Sequence, residues 1–155
     1  MRVHIGGDHA AFELHQELID YVRELGHEVT DHGPYAYDAS DDYPVFVLRA
    51  ALAVEEDEGS LGIVLGGSGN GEQMAANKVP GIRAALCYNT ELARLAREHN
   101  DAQIISIGGR MNTTSEAKEM VRVFLETEYL GEERHQRRIE MVLAWESDRL
   151  LPPMG

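Results

Sequence analysis

The sequence predicts an α/β fold, a three-layer α/β/α sandwich built around a five-stranded parallel sheet. Short apolar segments alternate with longer segments of helical periodicity along nearly the whole chain. Strands and helices that alternate in this way form a parallel sheet with helices on both faces. Three of the apolar segments also end in Gly-Gly followed by a polar residue. In a parallel sheet these endings lie at the carboxyl edge, where ligands bind.

The first half of the chain is predicted to supply two strands and two helices. Residues 3–5 and 27–30 are short strands, and residues 10–25 between them form an amphipathic helix. A polar loop follows over residues 31–42. Residues 44–56 are the next helix, with a proline in its first turn, where a missing N–H group has little effect.

The second half is predicted to supply three strands and four helices. The strands are residues 61–65, 82–86 and 102–107. The helices are residues 72–77, 90–98, 114–127 and 132–149. Residues 1–149 are thus expected to form one Rossmann-like domain, and residues 150–155 a loose tail.

Composition narrows the classes of function. The formal net charge of −13, from 14 basic and 27 acidic residues, argues against nucleic acid or an anionic membrane as a partner. Cys87 is the single cysteine, which excludes an intrachain disulfide and favours a reducing compartment. The chain enters a strand at once, and no apolar run approaches membrane-spanning length. We therefore expect a cytoplasmic protein with no signal peptide and no membrane segment.

The glycine-rich segment from Gly66 to Gly71 is the most informative part of the sequence. Four glycines in six residues allow a sharp turn with exposed N–H groups before a helix, which favours a negative charge there. Three known glycine motifs do not fit. Glu72 stands where a P-loop needs lysine and where the dinucleotide motif needs its last glycine. Asn70 stands where a serine-hydrolase turn needs glycine.

A carboxylate beside such a turn suits the removal of a proton from carbon. In this interpretation Glu72 takes the proton while the N–H groups stabilise the oxyanion. The alternative is that Glu72 only stabilises the positive end of a helix dipole. The spacing leaves both open. It also leaves open whether the pKa of Glu72 is lowered by the N–H groups or raised by burial.

The three Gly-Gly endings predict one site rather than three separate turns. Asp8, Ser68 and Arg110 are the polar residues that follow them. If the sheet is parallel, all three emerge at the same edge.

Longer stretches of the chain resemble the ribose-5-phosphate isomerase B family, which includes the galactose-6-phosphate isomerase subunits. The resemblance rests on Ile5-Gly6-Gly7-Asp8-His9-Ala10-Ala11-Phe12-Glu13-Leu14, Asp42-Tyr43-Pro44, Gly67-Ser68-Gly69-Asn70-Gly71, Ala75-Ala76-Asn77-Lys78, Arg83-Ala84-Ala85, His99-Asn100-Asp101-Ala102, Gly108-Gly109-Arg110 and Arg134-His135-Gln136-Arg137-Arg138-Ile139. It implies a sugar-phosphate isomerase domain that forms a homodimer with shared active sites. It also implies aldose–ketose isomerisation through an enediolate, without a metal or organic cofactor.

The resemblance also assigns the chain to one branch of that family. Many members carry a catalytic cysteine at the position of Gly66, and Cys87 lies on another strand and cannot replace it. A second branch, typical of actinobacteria, is similar to this chain in carrying Gly-Gly-Ser-Gly-Asn-Gly-Glu. That branch uses the glutamate as base, which here is Glu72.

Roles of individual residues follow from the same resemblance. Glu72 is expected to be the base and His99 to open the sugar ring, with Asp8 sharing either in ring opening or in moving protons during the reaction. The expected substrate-binding residues are Asp8, His9, Gly67, Ser68, Gly69, Asn70, Gly71, Asn100, Arg110, Arg134 and Arg138. His99 and Asn100 end a helix just before the fifth strand, and we place them at the same sheet edge as the glycine segment. Arg134 and Arg138, four residues apart on one helical face, are expected to hold phosphate in the partner's site.

We therefore expect an isomerase of ribose 5-phosphate and ribulose 5-phosphate. The nearest alternatives keep the chemistry and change the sugar, to a hexose 6-phosphate such as allose or galactose 6-phosphate, or to a tetrose phosphate such as erythrulose 4-phosphate. A non-enzymatic doubly wound binding module is the alternative from another class. The remaining histidines show no metal-ligand spacing, so no metal is expected. Whether dimers pair into tetramers stays open.

Overall fold

The computed structural model describes residues 1–155 and contains the predicted five-stranded parallel sheet. The strands are β1 (Arg2–Gly7), β2 (Glu28–Asp31), β3 (Leu61–Gly66), β4 (Ala84–Leu86) and β5 (Ile104–Gly108). Their order across the sheet is β2-β1-β3-β5-β4, and every neighbouring pair is parallel. The predicted fold class is confirmed.

Six α-helices connect and cover the strands. They are α1 (Phe12–Glu24), α2 (Tyr43–Glu56), α3 (Asn70–Ala76), α4 (Thr90–Asn100), α5 (Thr114–Glu126) and α6 (Glu133–Asp148), and a single 3-10 turn (His9–Ala11) precedes α1. All the bounds lie within two residues of the predicted ones. The main difference is α3, which begins at Asn70 rather than at Glu72, so that Glu72 lies inside its first turn.

Two apolar cores hold the three layers together. Because side chains alternate along a strand, each central strand contributes to both faces of the sheet. Ile63 and Leu65 of β3 pack with α1, α4 and α5, whereas Val64 packs with α2 and α3 on the other face. The central strand β3 is therefore apolar along its whole length, and most of the polar groups near it lie where strands begin and end.

The last helix, α6, is packed less closely than the others. It lies mainly against α4, and only His135 and Ile139 are buried. Its apolar residues Met141, Val142 and Trp145 are 40%, 59% and 41% exposed. Beyond its C-cap the chain has no regular structure and is exposed. No helix in the protein combines the length and the apolar character needed to cross a bilayer.

Candidate active site

The three strands that end in Gly-Gly are neighbours at the centre of the sheet. β3 lies between β1 and β5, so their carboxyl ends meet at one place. Backbone hydrogen bonds join two of the endings: Gly109 N–H donates to Gly66 O at 2.7 Å, and Arg110 N–H donates to Gly67 O at 3.0 Å. The predicted convergence of Asp8, Ser68 and Arg110 at this edge is confirmed. We call this region the carboxyl-edge cluster (Asp8, His9, Gly67–Glu72 and Arg110).

This position is also where the order of strands in the sheet reverses. From β1 the chain crosses to β2 on one side, and from β3 it crosses to β4 on the other side. The connections that follow β1 and β3 therefore cover opposite faces, which opens a crevice between them.

Gly69 gives the glycine segment its shape. It has φ +84°, a left-handed conformation that favours glycine, and a Cβ there would lie 2.7 Å from Leu86 Cδ1. Ser106 Oγ donates to its carbonyl at 2.7 Å and fixes the turn from below. Ser68 Oγ accepts from Asn70 N–H at 3.2 Å. The N–H group of Asn70 is thus taken, and those of Gly69 and Glu72 are directed at the Glu72 carboxyl group. The Gly71 N–H has no acceptor in the protein and is free to face an anion.

Glu72 fills the space that a side chain at position 66 would occupy. A Cβ added to Gly66 would overlap the Glu72 carboxyl group and would lie 2.7 Å from Oε2. Gly66 has no unusual φ, so its backbone conformation alone does not require glycine. The contact with Glu72 requires it. The carboxyl group is thus held directly above the end of β3, with the residue only 4% exposed.

The pKa of Glu72 is raised, chiefly because burial disfavours the charged carboxylate. The neighbouring charge of Asp8 raises this pKa further, and the N–H groups of Glu72 and Gly69 oppose the rise. Burial therefore outweighs the helix terminus, which settles the balance that the sequence left open. A carboxylate with a raised pKa is a stronger base once it is ionised.

Asp8 is the second buried carboxyl group of the cluster, with the residue 7% exposed. It caps the 3-10 turn, since its Oδ1 accepts from Ala10 N–H at 2.9 Å. Burial raises its pKa, and the Ala10 N–H lowers it. Two carboxyl groups near each other with raised pKa values allow one to carry a proton while the other is ionised.

His9 and Arg110 place positive charge beside these carboxyl groups. His9 Nδ1 lies 2.6 Å from Asp41 Oδ1. The Arg110 side chain lies over the glycine segment, with Nη1 3.4 Å from where a Gly67 Cβ would be. Asp41 was not predicted, because it stands in the polar loop after β2 with no spacing that links it to His9. Tyr43 was missed too; its ring would meet a Cβ at Gly71 at 2.6 Å.

His99 and Asn100 lie at the opposite edge of the sheet, so their predicted placement was wrong. α4 starts after the carboxyl end of β4 and runs back to the amino end of β5. Its last residues must therefore lie where the parallel strands begin. Within one chain, His99 cannot meet Glu72.

A second group of polar residues surrounds His99 at this amino edge. A cleft of about 230 Å³ is lined by Arg83, His99, Asn100, His135, Arg138, Ile139 and Val142. We call these residues the amino-edge cluster. The rings of His99 and His135 are stacked, with centroids 4.1 Å apart and planes 14° apart. His135, for which the sequence predicted no role in the site, is thus part of this cluster, and burial lowers its pKa.

The two arginines expected to hold phosphate are exposed on α6. Arg134 Nε donates to Glu132 Oε2 at 3.0 Å, while Arg138 has no carboxylate partner. A guanidinium group without a partner keeps its full capacity for two parallel hydrogen bonds to an anion.

The remaining titratable groups have structural explanations. His4 and His15 pair with Asp57 and Asp31 at 3.0 Å and 2.8 Å. Cys87 is buried, and burial raises the pKa of its thiol to about 12, so it is a poor nucleophile.

With this geometry described, the chain can be compared with known proteins. Residues 3–142 match the family model described as Ribose/Galactose Isomerase. The chain belongs to the ribose/galactose isomerase family. A ribose-5-phosphate isomerase B from Mycobacterium tuberculosis is 53% identical over 154 residues, which covers 99% of this chain and 95% of that protein. The ribose-5-phosphate isomerase B of Escherichia coli is 38% identical and covers 96% of this chain and 98% of its own.

Solved structures of the ribose/galactose isomerase family share the fold. The Clostridium thermocellum ribose-5-phosphate isomerase B superimposes with a TM-score of 0.91 at 41% identity, covering 97% of this chain and 100% of its own. The Mycoplasma genitalium protein, solved with bound ribulose-5-phosphate, has a TM-score of 0.90 at 36% identity, covering 95% of this chain and 97% of its own.

Proposed function

We propose that this protein interconverts ribose 5-phosphate and ribulose 5-phosphate, with Glu72 as the base. The observation that carries the proposal is a buried carboxyl group of raised pKa, held against the end of β3 in the first turn of α3. The names of the relatives and the ribulose-5-phosphate bound to the Mycoplasma genitalium protein support this choice of sugar. We also place the protein in the cytoplasm, since a single thiol suits a reducing compartment.

The chemistry moves one proton between two adjacent carbons. The Glu72 carboxylate takes the proton from C2 of the open-chain aldose, and the electrons of that bond form a C1–C2 double bond while charge moves to O1. The Gly71 N–H, which has no partner in the protein, stabilises that oxygen, while the N–H groups of Gly69 and Asn70 hold Glu72 and Ser68 beside it. A proton passes from the C2 hydroxyl to O1, and Glu72 then returns its proton to C1, which leaves a ketone at C2.

Asp8 is suited to the transfer between the two oxygens. Its pKa is raised by burial, so it exchanges a proton more readily than an ordinary aspartate near neutral pH. Its charge also raises the pKa of Glu72, which means that the two groups favour one shared proton.

The same site must open the sugar ring and hold the phosphate. We assign ring opening to His99, with Asn100 holding a substrate hydroxyl. We assign phosphate binding to His9, Arg110, Arg134 and Arg138, with Ser68 and Gly67 completing the wall beside the sugar. Imidazolium and guanidinium groups are the usual donors to phosphate oxygens.

Because the two clusters lie at opposite edges of one sheet, a complete site needs two copies of the chain. We propose a homodimer in which the amino-edge cluster and Arg134 of one copy complete the carboxyl-edge cluster of the other. The exposed apolar surface of α6 supports such a contact. A second apolar stripe on α2 does so as well, since Val45, Leu48 and Leu52 are 40% or more exposed.

Turnover of a substrate panel tests the reaction. We expect ketose formation from ribose 5-phosphate, and much slower formation from tetrose 4-phosphates and from allose or galactose 6-phosphate, with and without a chelator. A preference for a six-carbon or four-carbon sugar would change the substrate and keep the chemistry. Failure to isomerise any sugar phosphate would remove the proposed function.

Mixing two impaired variants tests the shared site. Glu72→Gln disables the base, and Arg134→Ala with Arg138→Ala disables phosphate binding. A hybrid dimer of the two carries one intact site, so random mixing should restore roughly a quarter of wild-type activity. Differently tagged chains confirm that hybrids have formed. Hybrids that remain inactive would show that each site is built from one chain.

A further inference from the structure

We propose that Asp41 is a positioning residue of this isomerase, which holds His9 as a hydrogen-bond donor for the phosphate group of the substrate. The inference rests on the proposed function for the identity of the ligand. Neither the glycine segment, nor the resemblance, nor the strand endings predicted a role for Asp41.

Asp41 holds His9 at two points through one oxygen. Its Oδ1 lies 2.6 Å from His9 Nδ1 and accepts from the His9 backbone N–H at 3.0 Å. A carboxylate oxygen only accepts, so Nδ1 carries a proton. The ring is therefore fixed in tautomer and in direction, and Nε2 is left as its free nitrogen.

The packing around the pair restricts it further. The Asp41 side chain is 8% exposed and the His9 side chain 25% exposed. Tyr37 meets the His9 ring edge-on, with centroids 6.3 Å apart. His9 is thus confined by the loop after β2, with its exposed part directed away from Asp41.

The second oxygen of Asp41 shows that the fold alone does not account for this residue. Asp41 Oδ2 is buried and has no hydrogen-bond partner. A buried carboxylate oxygen without a partner is unfavourable, so a residue kept only for stability would be expected to have both oxygens satisfied. Local turn formation does not need it either, because Asp38 closes the turn in this loop through Ser40.

The acidic residues around His9 change the pKa of its imidazole ring. One ligand atom from each of Asp8, His9 and Asp41 lies within 4.8 Å of the others, so two acids surround one imidazole. The hydrogen bond to Asp41 is the main cause that raises the pKa of His9; the charge of Asp8 adds to it and Arg110 opposes it. A raised pKa keeps the imidazolium to higher pH, and in that form Nε2–H also donates.

The sign of the pH effect follows from this arrangement. Phosphate binding through His9 is present below the pKa of His9 and is lost as pH rises through it. Without the charge of Asp41, that loss moves to lower pH. Asp41→Asn keeps the shape and the acceptor oxygen and removes only the charge, which makes it the informative variant.

Histidine NMR on the full-length, uniformly ¹⁵N-labelled protein tests the pairing without substrate. The His9 signals are assigned by their absence in His9→Gln. We expect Asp41→Asn to lower the His9 titration midpoint by about one pH unit, the usual size for loss of an adjacent opposite charge. Asp38→Asn removes a charge of the same loop that makes no hydrogen bond to His9 and acts on it only weakly through its charge, so it should lower the midpoint far less than Asp41→Asn does.

Kinetics with ribose 5-phosphate tests the consequence. At pH 7.5, Asp41→Asn should raise KM about tenfold, the order of one hydrogen bond to a charged group, with kcat little changed. KM should approach the wild-type value at pH below the lowered midpoint. Combining Asp41→Asn with His9→Gln should raise KM no further than His9→Gln alone, because Asp41 acts through His9.

The two readouts separate the possible failures. An unmoved His9 midpoint, or a rise in KM that is the same at every pH, would overturn the role of Asp41 even in an active isomerase. A shifted midpoint in a wild-type protein that isomerises no sugar phosphate would instead uphold the pairing and remove the proposed function.

Discussion

The carboxyl edge and the amino edge of the sheet carry different kinds of groups, held in different ways. At the carboxyl edge, Glu72 and Asp8 are 4% and 7% exposed and stand on the central strands. At the amino edge, Arg138 is exposed on a helix that lies mainly against α4. The first region holds two buried carboxyl groups, and the second is a surface rich in hydrogen-bond donors.

This difference separates two tasks of an isomerase. Proton transfer from carbon needs a carboxyl group at a fixed distance with a shifted pKa, which the centre of the sheet supplies. Holding a phosphate needs cations that stay hydrated until the substrate arrives, which the exposed helix supplies. Under the proposed function, variants of the buried carboxyl groups should therefore change kcat, and variants of the exposed arginines on α6 should change KM.

The largest effect should come from Glu72→Gln, which is nearly isosteric. We expect kcat to fall by about 10²–10⁴-fold, the usual contribution of a general base, while sugar-phosphate binding is retained. The pKa of Glu72 is raised in the fold, so its ionised form lowers stability at neutral pH, and the variant should have a higher Tm. Steady-state kinetics, ligand titration and thermal unfolding measure these three quantities. Substantial residual turnover would remove Glu72 from its role.

The dependence of wild-type kcat/KM on pH also tests whether Glu72 is the base. The base must be ionised, so kcat/KM should fall as the pH drops through the pKa of free Glu72. Because burial raises that pKa, the acid limb should lie above about 4.3, the value of an unperturbed glutamate.

Gly66→Ala should have the next largest effect, because the new methyl group overlaps the Glu72 carboxyl group. Displacing the base by about 1 Å should lower kcat by roughly 10²-fold. Overpacking should also destabilise the fold by about 1–3 kcal/mol. In a Glu72→Ala background the space is empty, and the added methyl should then cost less than about 1 kcal/mol. An equal cost in both backgrounds, measured by denaturant unfolding, would show that the two residues do not compete.

Arg138→Ala should have the smallest effect, and it should appear at the other edge. We expect KM for ribose 5-phosphate to rise by about tenfold or somewhat more, with kcat nearly constant, because a charge-assisted contact to the phosphate is lost. Arg137→Ala is the matched control, since residue 137 is exposed and points away from residue 138 on the helix. A fall in kcat with unchanged KM would assign Arg138 to the chemical step and break the division between the edges.

The sequence was sufficient for the features that depend on local patterns. The Gly-Gly endings predicted the meeting of Asp8, Ser68 and Arg110, because strand ends and sheet direction follow from periodicity and turn residues. The placement of His99 was wrong, although the element order contains the correct answer: a helix that ends just before a parallel strand ends at the amino edge.

Contacts between distant segments could not be predicted in the same way. The hydrogen bonds from His9 to Asp41 join residues 32 positions apart through an irregular loop, and no pattern records them. The overlap between Gly66 and Glu72 depends on where α3 starts, and the two-residue difference from the predicted start hid it. The stacking of His135 on His99 depends on how α6 crosses α4, which periodicity does not define.

The overlap between a side chain at position 66 and the Glu72 carboxyl group also limits how the site can evolve. The resemblance implies that many members of the family carry a catalytic cysteine at position 66. Here the Glu72 carboxyl group occupies the space of a side chain at that position, so a cysteine there and Glu72 compete for one volume. Gly66→Cys alone would push out the working carboxylate before the thiol could replace it. If Glu72 is the base, a change from glutamate to cysteine must therefore pass through an impaired variant or alter both positions together.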